Sequence, residues 1–319
     1  MMRLLMHALA PAGRGAKLSV LMFHRVHAEP DPLFPGEPHT RSFEQKMDWL
    51  KRWFNVLPLA EAVAGLRDGK LPSRPAVITF DDGYADNRNV ALPILLRLGL
   101  PATFFVCTGF MDGGRMWNDT VIETLRRCAG SLLDLRPLDL GVHPIETVAQ
   151  RRSAIARLIG KLKYLLPAER QSRVNAIAVC ADVDLPDDLM MSSSQLQEMV
   201  RAGMTIGAHT VHHPILQGLP EDEVLSELLE GRRRLEQITG GAVRFFAYPN
   251  GIPGRDYSAV QVQLVRQAGF EAAVTTARGA ARHGCDLFQI PRFTPWDSGG
   301  LRFGLRLANN LRQVGYATA

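Results

Sequence analysis

The feature that most limits the folds open to this chain is a repeated handover from an apolar, β-prone run to a helical stretch. Residues 18–23 and 77–80 are such runs, and the segment between them carries Phe43, Met47 and Leu50, then Leu59, Val63 and Leu66, at helical spacing. Residues 89–98 read as a helix with Pro93 near its start and Gly99 at its end, followed by a strand at 102–106. The alternation resumes with a helix at 192–200, opened by a Ser-x-x-Gln capping box, and a strand at 205–209. A helix at 223–238, stopped by Gly240-Gly241, then precedes a strand at 243–249, a helix at 257–268 and a strand at 271–276. Alternating strands and helices imply a parallel sheet, and this number of units predicts an α/β barrel.

Residues 110–190 break the rhythm. They hold basic helical segments such as 147–166 and no clear strand, so the reading is a mainly helical insertion beside the mouth of the barrel. Arg151, Arg152, Arg157, Lys161 and Lys163 give it a basic character suited to a phosphate or an acidic glycan. The expected organisation is a segment at 1–17, a barrel at 18–300 with the insertion at about 110–190, and a basic amphipathic helix at 301–319. That last stretch sets Arg302, Arg306 and Arg312 beside Leu301, Leu305, Leu307 and Leu311, with no acid. Packing on the barrel is the commoner outcome for such a helix, and contact with an anionic membrane surface is the other.

Composition narrows the partners. With 37 Lys+Arg against 32 Asp+Glu the net charge is +5, too small an excess to mark a nucleic-acid binder, and nothing points to an obligate protein partner. Cys107, Cys128, Cys180 and Cys285 form no C-x-x-C pair and read as buried thiols. The apolar run near the N-terminus is interrupted by His7 and falls short of a signal-peptide core, and no window reaches the roughly 18 apolar residues of a membrane helix. The expected location is cytoplasmic, peripheral to the inner membrane if the basic helix meets lipid.

Two constellations carry chemistry. Asp81-Asp82-Gly83 ends an apolar strand, the position where α/β barrels place active residues, and two adjacent carboxylates need a compensating cation or a shared proton. His209 and His213 follow another strand at i, i+4, which on a helical turn puts both imidazoles on one face. Two imidazole nitrogens with one carboxylate oxygen make a three-ligand set with open positions, the pattern of a catalytic metal site. One carboxylate then holds the Lewis acid, and the other accepts a proton from water.

Thr79-Phe80-Asp81-Asp82-Gly83 and His209-Thr210-Val211-His212-His213-Pro214 resemble the first two signatures of the polysaccharide deacetylase family (carbohydrate esterase family 4). Phe245 to Gly251 resembles the third, with Asn250 where the family has an aromatic residue. The resemblance runs over about 19–292 and implies a distorted (β/α) barrel. It implies that Asp81 is the catalytic base and that Asp82, His209 and His213 hold one divalent ion, expected to be Zn²⁺. It further implies that a backbone N–H in the loop of Tyr248, Pro249, Asn250 and Gly251 stabilises the oxyanion. The family's late strand ending in an acid histidine is not legible here. His283 lies in a Gly-rich polar stretch, so His24, at the end of the first strand, is the better candidate for the proton donor. Arg292 resembles a residue that in some relatives orients the base.

The implied activity is removal of N-acetyl groups from an N-acetylated sugar in a polysaccharide or its lipid-linked precursor. The alternatives are a deacylase for another small amide or an O-acetyl ester, and a catalytically silent carbohydrate-binding barrel.

Overall fold

The computed structural model describes residues 1–295, 297, 299–313 and 315–319. In chain order the elements are α1 (Met2–Leu9), β1 (Lys17–Phe23), α2 (Thr40–Trp53), β2 (Asn55–Val56), α3 (Leu59–Asp68), β3 (Pro75–Phe80), α4 (Leu92–Leu98) and β4 (Thr103–Val106). Next come α5 (Trp117–Arg127), β5 (Leu132–Leu135), β6 (Gly141–Pro144), α6 (Val148–Leu162), α7 (Pro167–Ala181), α8 (Ser193–Arg201) and β7 (Thr205–Ala208). The chain ends with α9 (Glu221–Thr239), β8 (Phe245–Ala247), α10 (Ala259–Gln267), β9 (Ala272–Arg278), β10 (Ala281–Arg282), β11 (Ile290–Arg292) and α11 (Gly300–Arg312).

Apart from β5 and β6, the strands form one sheet in the order β10-β1-β3-β4-β7-β8-β9-β11, with β2 beside the start of β3. All neighbours from β1 round to β11 are parallel; only β10 is antiparallel. The sheet closes on itself because Phe293, just after β11, bridges to Leu21 in β1: Phe293 N–H donates to Val20 O at 2.7 Å, and Met22 N–H to Phe293 O at 3.0 Å. The result is a nearly closed (β/α) barrel.

Alternate residues of each strand serve two cores. Val20, Val77, Phe105, Phe245, Val274 and Ile290 fill the barrel, stoppered at one end by Leu59, Ala62, Val63 and Leu66 of α3. Phe23, Phe80 and Phe104 face the helical layer as a stacked row, with ring centroids 5.4 and 4.6 Å apart. Burial on both faces explains why these strands read as continuous apolar runs.

The helix read at 89–98 begins only at Leu92; a five-residue π-turn, Asn87–Ala91, precedes it. Between β4 and β7 the stretch is mainly helical, with its own core of Val121, Leu125, Leu133, Ile155, Leu158 and Ile177. The sequence showed no strand there, yet β5 and β6 pair as an antiparallel hairpin. Each strand has four residues, too short for a period-2 pattern to stand out. Neither joins the barrel sheet.

The basic stretch expected to be helical over 301–319 is helical only through Arg312; Gln313 and residues 315–319 are not helical, and Val314 lies outside the described residues. Phe303, Leu307 and Leu311 are buried, with Trp49 and Trp53 against the Phe303 ring at 6.0 Å each. Among the described residues no helix is long and apolar enough to cross a membrane.

Candidate active site and metal centre

The site lies at the end of the barrel where the parallel strands finish, in a cavity of about 370 Å³ lined by His24, Asp81, Asp82, His209, His213, Asn250 and Thr276. Met22 from β1 completes the barrel side, and Met116, Trp117, Asn118, Ile159, Lys163 and Arg170 of the insertion form the opposite wall.

Asp81 continues β3, its N–H donating to Phe23 O at 2.9 Å. Asp82 and Gly83 then take left-handed conformations, φ 75° and 90°, which turn the two neighbouring carboxylates apart. Position 83 has to be glycine: a side-chain carbon there would lie 2.8 Å from Val106 Cγ1. Holding Asp82 at positive φ costs of order 1 kcal/mol, the kind of strain that persists at working sites.

Asp81 meets Arg292 in a bidentate pair, Nη1 to Oδ1 at 2.7 Å and Nη2 to Oδ2 at 2.6 Å, with the guanidinium side chain fully buried. Arg292 is itself fixed, donating through Nε to Thr275 O at 2.9 Å. Burial pushes the Asp81 carboxyl up, but Arg292, helped by His209, overrides it and holds the carboxyl below its ordinary range.

Asp82 faces the histidines. Its Oδ1 lies 3.4 Å from His209 Nε2 and 3.6 Å from His213 Nε2, and this buried oxygen has no hydrogen-bond partner among the described residues. His209 Nδ1 lies 2.7 Å from Ala247 O and donates its proton there, which turns Nε2 toward Asp82. A ligating histidine is held in this way by a backbone carbonyl. Burial pushes His213 down, to about 3, so it presents a neutral ring, whereas for His209 the pull of Asp82 and Asp81 outweighs burial and shifts it up. Two imidazole nitrogens and one ionised carboxylate oxygen converging on a buried point fit a divalent cation.

The pairing of the histidines does not arise as the spacing suggested. Residues 209–213 form no helical turn: Thr210 and His213 sit at φ 67° and 52°, and this irregular turn brings the two rings to 4.8 Å. Glu227 of α9 pins it, accepting from Val211 N and His212 N at 2.8 and 2.9 Å and meeting His212 Nδ1 at 2.7 Å. Cys107 also lies against the site, since its Sγ, Asp82 and His209 offer ligand atoms within 4.8 Å of one another. Its thiol donates to His209 O at 3.1 Å, and burial with the two carboxylates pushes its pKa well up.

In the loop from Tyr248 to Gly251 only one residue faces the cavity. The Tyr248 ring is turned into the protein and stacked on Tyr257 at 3.9 Å. Tyr248 N–H donates to Val274 O and Gly251 N–H to Pro249 O, at 3.2 and 2.6 Å, and Pro249 has no N–H. The amide of Asn250 is therefore the loop's free donor among the described residues. Asn250 stands at φ 59°, a conformation asparagine tolerates and a larger aromatic residue resists, and Thr276 Oγ1 holds its carbonyl at 2.8 Å.

His24 stands at the cavity mouth one residue past β1, its carbonyl accepting from Asn87 Nδ2 at 2.8 Å. His283 is far from it, at the opposite end of the barrel, with Nδ1 against Leu66 O at 2.9 Å. Of the insertion's basic residues, Lys163 lines the cavity, whereas Arg151 caps backbone carbonyls of Leu125 and Cys128. Trp117, Asn118 and Arg170 carried no signal in the sequence, because their contact with the cavity depends on how the insertion docks. Arg170 lies 4.8 Å over the Trp117 ring.

A model of the family described as polysaccharide deacetylase matches residues 68–134 and 146–273. YxkH of Bacillus subtilis (strain 168), which carries a polysaccharide deacetylase name, is 23% identical over 279 residues, spanning 87% of this chain and 71% of that protein. The solved Streptococcus pyogenes deacetylase PplD in complex with acetate superposes with a TM-score of 0.61 at 19% identity, over 93% of this chain and 99% of that one. IcaB from Ammonifex degensii gives 0.61 at 21% identity, over 95% and 99%. These two structures share the barrel, and the family match covers both the Asp81-Asp82 and the His209–His213 signatures: the chain belongs to the polysaccharide deacetylase family.

Proposed function

We propose that this deacetylase hydrolyses the acetamide of an N-acetylated sugar, in a polysaccharide or its lipid-linked precursor, with one divalent cation, Zn²⁺, held by Asp82, His209 and His213. The observation that carries the reading is the buried Asp82 Oδ1, which lacks a hydrogen-bond partner and faces both histidine Nε2 atoms. Cys107 is the rival third ligand to His213, but a protonated thiol donating to a carbonyl is a poor ligand. When bound, the cation supplies Lewis acidity to the acetamide oxygen and acidity to a water.

The chain's own residues do the rest. Asp81, kept ionised and oriented by Arg292, takes the proton of the attacking water. The water oxygen bonds to the acetamide carbon, the Asn250 N–H supports the negative oxygen that develops, and the C–N bond breaks to release acetate. His24 gives the departing nitrogen its proton, leaving a free amine. Trp117 offers the aromatic face that Asn250 does not, and the buried, unpartnered Asn118 Oδ1 accepts a hydroxyl of the sugar. Lys163 suits an acidic group on the substrate. The division of the chain at 17 and 300, the insertion's place beside the mouth and a cytoplasmic location belong to the same proposal.

Acetate release from N-acetylglucosamine oligomers and from O-acetylated glycans, with and without chelator, tests it. The expected result is amide hydrolysis lost to chelator and restored by Zn²⁺. Release from the esters alone would move the reading to an esterase, and glycan binding without any release would make the barrel catalytically silent.

A further inference from the structure

We propose that the outer face of α1 and α11 is a docking surface for an anionic lipid bilayer. The two helices pack side by side at Gly304, where a side-chain carbon would lie 2.5 Å from the Met2 methyl. Their inner faces are spent on the barrel, with Met6, Phe303, Leu307 and Leu311 buried. Their outer faces remain apolar: Leu4 is 74% exposed, Leu5 39%, Leu301 63% and Leu305 52%. Four such side chains on two adjoining short helices form a patch rather than the usual scatter.

Charge decides what covers it. Neither helix contains an acidic residue, while Arg3, His7, Arg302 and Arg312 stand exposed among the leucines, and Arg306 pairs with Asp297 at 3.0 Å. A second copy would bring the same arginines against these, so like charge opposes self-association. A layer of lipid phosphates satisfies both the arginines and the leucines.

The direction of the helices aims the surface. Ala10 O, after α1, accepts from Arg74 N just before β3, and Leu311 O in α11 accepts from Lys17 Nζ at the start of β1, both at 2.8 Å. Both helices therefore run from the cavity end of the barrel toward the opposite end, and all four leucines lie in their cavity-end halves. A bilayer seated there lies beside the mouth.

Co-sedimentation of the full chain with phosphatidylcholine vesicles and with mixed phosphatidylcholine and phosphatidylglycerol vesicles tests the proposal. Partitioning at least about ten-fold stronger onto the anionic vesicles is expected, each interfacial arginine contributing about five-fold. The preference should weaken as salt is raised. Leu4→Glu combined with Leu305→Glu should abolish binding. Arg3→Gln with Arg302→Gln should remove most of the anionic preference while leaving thermal unfolding unchanged, which separates loss of the surface from loss of the fold. Equal partitioning onto the two vesicle types, or wild-type binding by the leucine variant, would overturn the proposal. So would a concentration-dependent dimer that the leucine variant dissociates, because the patch would then belong to a second copy.

Discussion

Asp81 and Asp82 are neighbours in the chain and stand in opposite halves of one cavity. On the Asp81 side both carboxylate oxygens are matched to one fully buried guanidinium, 2.7 and 2.6 Å away. On the Asp82 side an equally buried oxygen faces two ring nitrogens at 3.4 and 3.6 Å with no hydrogen-bond partner among the described residues. The contrast is between a half whose charges are matched within the chain and one whose carboxylate oxygen is left open beside two imidazoles.

The largest expected effect breaks the open half. Asp82→Ala should lower Zn²⁺ affinity by about 100-fold or more, measured by competition with a chromophoric chelator, and take acetate release to background with it. Asp81→Asn should do the reverse: Zn²⁺ binding within a few-fold of wild type, with kcat down by about 10²–10⁴-fold. If both variants lost metal equally, the two halves would not be distinct. Arg292→Gln leaves Asp81 buried without its partner, so unfolding should be easier by roughly 3–5 kcal/mol in urea titrations. The acid limb of the pH–rate profile should also move upward, because the main charge opposing the upward push of burial on Asp81 is then gone.

His24→Ala should slow amide hydrolysis by about 10²-fold and spare esters with good leaving groups, which need less protonation. Equal loss on both would make His24 a positioning residue.

The smallest effect concerns a third carboxyl, Asp119 of α5, raised to about 7 by burial, against the pull of Arg25 and with the help of Asp82. A folded-state pKa above the unfolded value means that the folded chain binds the extra proton between about pH 4 and 7. Asp119 thus contributes stability that is present below pH 4 and lost as pH rises through 7. In chelator, Asp119→Asn should flatten the fall of Tm across this window; an unchanged slope would mean that Asp119 does not titrate there.

Much of this site could be read before the fold was known. Asp81, Asp82, His209 and His24 were legible because they terminate apolar strands, and parallel strands deliver their ends to one face. His213 was found for a reason that does not hold, since two left-handed residues rather than a helical turn aim its ring. Arg292 came from resemblance alone and lies beyond the residues matched by the family model, as does His24. Glu227, Trp117, Asn118 and Cys107 were missed because nothing local marks them. Glu227 sits on an ordinary amphipathic helix, Cys107 on a buried strand end, and the other two on an insertion whose orientation only tertiary packing decides.

The seam of the barrel has a bearing on when the protein can work at all. It joins the first barrel strand to the last through Leu21 and Phe293, and His24 and Arg292 are carried by those two strands. A ribosome makes β11 after every other strand of the barrel, so Asp81 waits for its counter-charge until the ring has been zipped shut. Loops that close over such a separation are the slow part of assembling a fold. Activity is therefore coupled to completion of the ring, and damage that springs the seam should silence the enzyme before it unfolds the rest of the barrel.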